Sequence, residues 1–226
     1  MTNTRFSTKK LTLVAMLCAL AYAVMAVCRI PLVPAATFLK YDPKDVFIAI
    51  GGFLLGPIAS LAISVVVSFL EMFTVSESGI IGCAMNIISS VALTVTAALI
   101  YKKKRSLAGA AIGLISGVCV CTVVMLLWNY ILVPIYTPYI SREKVVEMLL
   151  PAFLPFNLLK GGLNAAITML LYKPVRIALD KSRLLPIAAE GSAEKSSAKV
   201  NIGAFLISAF IIISCVLIIL SMFEII

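Results

Sequence analysis

The sequence predicts an all-α integral membrane protein with six or seven spans, and three observations carry that prediction. Mean hydropathy is +1.12, and of the 226 residues 62% are hydrophobic and only 13% charged. Apolar runs of about 20 residues recur, the length that crosses a ~30 Å hydrocarbon core. The cations gather at the flanks of those runs, as anchoring at the cytoplasmic face requires. The net charge of +9 is therefore read as a lipid-bilayer signal, and no nucleic-acid partner is expected. The chain has no histidine, which removes the commonest metal ligand and proton shuttle. The six cysteines sit mostly inside apolar runs and read as small packing residues.

Residues 1–10 form a basic cytoplasmic leader, and Leu11 to Cys28 make the first span. That span is expected to be retained, because no polar cleavage region follows it before Pro31. Its small residues Ala15, Ala19 and Ala23 recur every four positions in one flat stripe. Such a stripe serves either packing within the bundle or docking of another membrane subunit, and the residues alone leave both open. The segment 29–45 reads RIPLVPAATFLKYDPKD, with prolines at 31, 34 and 43. Proline cannot continue a helical ladder, so a stiff, ordered extracellular loop is expected. Asp45 is placed to cap the next helix.

That helix, Val46–Leu55, is short, and Gly56-Pro57 breaks it before a second one, Pro57–Thr74. Two separate elements in a tight hairpin are expected, the first leaning on its neighbours to compensate for its length. Ile80–Tyr101 is the next span and ends in the four cations Lys102 to Arg105. Leu107–Val133 follows, with Trp128, Asn129 and Tyr130 near its end. A loop with a short amphipathic helix from Ser141 leads to the span Leu150–Tyr172 and its basic extension. Residues 188–200 read as a linker, and 201–226 as an additional C-terminal hydrophobic helix.

With a cytoplasmic N-terminus, thirteen Lys and Arg residues fall inside and five outside. This count requires the Gly56-Pro57 turn to reach the inner face, since a single span over 46–74 would carry Lys102–Arg105 outside. The C-terminus is then extracellular if the seventh span inserts.

The span from Leu150 carries Asn157, Lys160 and Asn164 at spacings of three and four, hence on one helical face. A lysine at that depth needs a partner, a polar ligand or a water-filled cavity. Under the predicted topology Tyr41, Asp42, Asn86, Asn129, Asn157, Lys160 and Asn164 converge on the outer side. Their amide and ammonium donors suit a ligand with carbonyl edges and hydroxyls. The rings of Phe38, Tyr41, Trp128 and Tyr130 are suited to covering a flat ring system. Two plainer accounts stand beside this one: asparagines bonding across helices, and a salt bridge from Lys160 to Asp42, Asp45 or Glu71. Glu71, the other ionisable residue in an apolar run, lies near the outer end of its helix and reads either as reaching the interface or as a further site candidate. A small membrane enzyme is the less favoured class, because no nucleophile–base pair or phosphate-binding glycine loop is evident.

Four stretches carry a resemblance: FLKYDPKD at Phe38–Asp45, IGGFLLGP at Ile50–Pro57, WNYILVPIY at Trp128–Tyr136 and PFNLLKGGLN at Pro155–Asn164. In order and spacing the sequence resembles the riboflavin-specific substrate-binding subunits (S components) of energy-coupling factor (ECF) transporters. The resemblance implies a six-helix bundle over residues 11–187 that captures riboflavin from outside and hydrolyses nothing itself. It implies partners as well: a transmembrane coupling subunit and two cytoplasmic ATPases. Riboflavin is then a transported ligand, and no catalytic cofactor is expected. Carried over by motif, the ligand set is Phe38, Tyr41, Asp42, Asn86, Asn129, Asn157, Lys160 and Asn164, with Ala15, Ala19 and Ala23 as the docking stripe. Another vitamin or a purine-like ligand on the same fold is the alternative. The seventh helix departs from the family pattern.

Overall fold

The structure is a computed structural model that describes residues 8–34, 39–75, 79–136, 141–181 and 202–223. Phe38 and the linker 188–200 lie outside the described residues. The helices are α1 (Thr8–Val27), α2 (Lys44–Leu55), α3 (Pro57–Thr74), α4 (Gly79–Lys103), α5 (Leu107–Tyr136), α6 (Arg142–Met148), α7 (Leu154–Lys181) and α8 (Ile202–Met222). Two short strands, β1 (Ile30–Pro31) and β2 (Lys40–Tyr41), pair antiparallel between α1 and α2. All the long helices except α2 are long and apolar enough to cross a bilayer.

At 12 residues α2 is about 18 Å long, well short of the hydrocarbon core, yet it need not meet lipid. It packs against α1, α3, α4 and α7, and nine of its residues are buried. The break after it is the expected one. Gly56 takes φ 96°, a conformation that glycine tolerates and side chains resist, and Pro57 opens α3 in its first turn. The hairpin is antiparallel, because Gly52 meets Ser60 near the turn while Lys44 reaches Glu71 at the far end.

The tightest helix pair is α4 with α5. A Cβ on Gly117 would stand 2.3 Å from the Leu93 carbonyl oxygen, and one on Gly113 would stand 2.7 Å from that of Ala97. These glycines, four residues apart, let the two backbones touch in the manner of small-residue membrane interfaces. Between α2, α4 and α7, Phe53, Tyr101 and Tyr172 form an aromatic cluster with centroid separations of 4.6, 5.5 and 5.8 Å. The Tyr101 and Tyr172 hydroxyls meet at 2.6 Å.

Two boundaries differ from the sequence reading. The helix expected to stop at Val133 continues through Pro134 to Tyr136. A proline in a last turn forfeits only its own ladder bond. The Leu150 span does not start as a regular helix: Leu149–Phe153 is a π-helical turn, followed by α7. The expected amphipathic helix is α6, with the Ser141 hydroxyl accepting from the Lys144 N–H at 3.3 Å. Asp45 corrects an expectation, since no side chain caps α2 and its carboxylate is engaged elsewhere.

The ends of the bundle differ chemically. Lys10, Gly56, Lys102 and Arg105 line a cavity of about 360 Å³ at one end. The other end carries the strand pair, the C-terminal end of α3, the start of α4, α6 and the π turn. The seventh helix, α8, packs on α7, where the Cys215 sulfur would lie 3.7 Å from a Cβ on Gly162.

Candidate functional site

The strand-bearing end buries an unusual number of charges. Asp42, Lys44, Asp45, Glu71 and Lys160 are each no more than 8% exposed. Burying an ion is costly unless it is paired and its remaining hydrogen-bonding capacity is met, and these residues pair with one another. Lys160 Nζ donates to Asp42 Oδ2 at 3.1 Å. Lys44 donates to Glu71 and stands 3.8 Å from the other Asp42 oxygen. Arg29 reaches Glu71 at 3.4 Å and donates to the Val75 carbonyl at 2.9 Å. Ser90 Oγ donates to Asp45 at 2.5 Å. Three cations (Arg29, Lys44, Lys160) face three carboxylates (Asp42, Asp45, Glu71), so the formal charges cancel.

Asn164 ties the network to the strand pair. Its amide donates to the Asp42 carbonyl at 3.5 Å and to Asp45 at 3.4 Å, while its oxygen accepts from the Tyr41 hydroxyl at 3.1 Å. Burial, reinforced by Asp42, pushes the Tyr41 phenol above its ordinary range, so it remains a donor. Burial also pushes the Asp42 carboxyl up, but Lys160, Lys44 and Arg29 outweigh it and hold this carboxyl below its usual value.

Tyr41, Asp42, Lys160 and Asn164 are thus brought into one connected group. The plainer account of Lys160, a salt bridge to Asp42, is present, and it leaves part of the ammonium's donor capacity for another acceptor. Asn157 is buried one turn before Lys160 and donates to the Phe153 carbonyl at 2.7 Å. Asn129 is buried on α5 and Asn86 is half-buried on α4. Among the described residues, no hydrogen bond joins Asn86, Asn129 or Asn157 to the charged group. The Asn129 side-chain oxygen and the Trp128 indole N–H are buried without any partner. Native interiors seldom leave such groups unsatisfied, so both are ready for a ligand's donor and acceptor.

Of the two readings of Glu71, the interface one is corrected: it is 1% exposed and bound to Lys44 and Arg29 within the charged group. Arg29, Lys44, Asp45 and Ser90 were not singled out as site residues. Their proximity depends on the α2–α3 hairpin, which brings residues 27 and 42 positions apart into contact. The signal available was Glu71, an ionisable residue in an apolar run. Ala15, Ala19 and Ala23 all face outward from α1, so the stripe does not pack within the bundle.

Comparison with known proteins agrees with this architecture. The family described as ECF transporter, substrate-specific component, matches residues 9–172. The riboflavin transporter FmnP of Bacillus subtilis is 28% identical over 183 residues, covering 77% of this chain and 96% of its own. RibU of Staphylococcus aureus, also a riboflavin transporter, is 28% identical over 171 residues, covering 73% and 89%. A solved S component of a bacterial ECF transporter superposes with a TM-score of 0.63 at 29% identity, covering 76% of this chain and 97% of that one. The matched region holds the whole charged group and stops before α8. The chain belongs to the substrate-specific components of ECF transporters.

Proposed function

We propose that this chain captures riboflavin at the strand-bearing end, which faces outward, and delivers it through an ECF coupling subunit and two cytoplasmic ATPases. The observation that carries the reading is the buried pair of Lys160 on α7 and Asp42 just after β2, with the unpartnered Asn129 and Trp128 groups of α5 as further ligand candidates. Riboflavin is neutral and offers carbonyl acceptors, an imide N–H and a chain of hydroxyls. A bare buried lysine would be penalised in front of such a ligand. Asp42 holds the lysine charged and oriented, and its remaining N–H groups serve the ligand's oxygens. Asn129, Asn157 and Asn86 supply further amide contacts. The similar proteins named as riboflavin transporters support the choice of ligand.

In this reading the N-terminus is cytoplasmic, the outward-facing Ala15/Ala19/Ala23 stripe docks the coupling subunit, and ATP hydrolysis resides in the partners. The test is a flavin-fluorescence titration of purified protein with Lys160→Met and with the pair Asp42→Asn/Lys160→Met. The single change strands a buried carboxylate and lowers thermal stability; the double change keeps the group neutral and recovers much of that loss. Both weaken riboflavin binding by about 1.5–3 kcal/mol, the worth of a charged hydrogen bond. An unaltered dissociation constant in the double variant excludes Lys160 from the site. A vitamin and purine panel run beside it separates a different ligand from none.

A further inference from the structure

α8 lies beyond the region shared with the family, and its packing is uneven. Ile212, Cys215, Ile219 and Met222 follow one another at spacings of three and four and make one face. That face joins the cluster formed by Leu32, Val33 and Tyr41 around the strand pair and by Phe156, Leu159 and Leu163 of α7. At the opposite end α8 stands off, leaving an apolar groove of about 410 Å³ against α5 and α7, lined by Gly203, Ala204 and Ile207 of α8. The helix is thus seated where Tyr41 is, and stands away from the bundle where it enters. It makes no extensive contact with α1, so the alanine stripe stays open.

We infer that α8 is a buttress that positions the strand pair, and with it the Tyr41–Asn164 hydrogen bond and the Asp42 backbone, over the charged group. The reasoning is mechanical. A two-residue strand pair has little hold of its own, and Tyr41 is positioned by what packs behind its ring. The phenol must reach Asn164 at 3.1 Å while Asn164 also serves Asp42 and Asp45. Loosening the ring disturbs one acceptor directly and two carboxylate-bearing residues through it. Ile219 and Met222 pack against the cluster that contains Tyr41 and reach the ligand only through that cluster, so they are positioning residues. The consequence for transport rests on the riboflavin reading above, whereas the positioning itself does not.

The experiment uses the full chain with Ile219→Ala/Met222→Ala, its conservative counterpart Ile219→Leu/Met222→Leu, and the lipid-facing control Phe210→Ala, a residue 71% exposed. Two readouts are taken: amide hydrogen exchange at Leu39–Tyr41 without ligand, and riboflavin release by fluorescence recovery. The alanine pair should speed both by about fivefold or more and leave association nearly unchanged, since interface truncations act mainly on off-rates. The leucine pair and the control should match the unaltered chain. Unchanged exchange in the alanine pair overturns the inference whether or not flavin binds. Failure of the unaltered chain to bind flavin overturns the proposed function alone.

Discussion

Asp42 is the residue on which most of the site's electrostatics turns, because one carboxylate serves Lys160 and Lys44 while its backbone carbonyl serves Asn164. Its folded-state affinity for a proton is lowered. An unfolded aspartate titrates near 3.9, so Asp42 binds its proton more readily in the unfolded chain. Its stabilising contribution is therefore complete above pH ~4 and is lost as the pH falls through the lower folded-state value. Thermal melts in detergent should show stability declining in that acid window, and Asp42→Asn should flatten the decline. The sequence made Lys160 and Asn164 legible through their spacing on one helix. It could not supply the partner of Lys160, because Asp42, Asp45 and Glu71 were all chemically eligible. Choosing among them required the strand pair and the hairpin register, neither of which is encoded by local pattern.

At the scale of elements, breaks and spans were readable because glycine, proline and charge act locally. Gly56-Pro57 ended one helix and began another as their backbone chemistry requires. The π turn at Leu149–Phe153 was not readable, although prolines at 151 and 155 disturb the ladder there. That turn sets the rotation of α7, and so decides which way Asn157, Lys160 and Asn164 face. The α4–α5 contact gives a prediction of its own. Gly117→Val must push its new side chain into the Leu93 carbonyl and separate the helices, costing about 1–3 kcal/mol of stability. Gly162→Ala, whose Cβ would meet only the Cys215 sulfur at 3.7 Å, an ordinary contact, should cost less. Melting temperatures of the two variants compare them directly, and equal losses would contradict the close-packing account.

For the whole molecule, the alternation of helices puts the basic end and the charged site on opposite faces. The basic end is closed by Phe53, Tyr101 and Tyr172, an arrangement suited to holding a ligand rather than conducting one. Orientation is testable in intact cells with the six cysteines replaced. A cysteine at Ser196 should be shielded from an impermeant thiol reagent added outside, and one at Ile225 should react. The reverse pattern would invert the topology and move the site to the cytoplasm. The central claim is that a flavin binds at this buried, charge-neutral group, and the most direct test is titration of riboflavin fluorescence with the purified, detergent-solubilised chain. Saturable quenching at one flavin per chain, with a flavin absorbance band carried by the protein, is the predicted result. A colourless protein that leaves riboflavin fluorescence untouched at every concentration would contradict it.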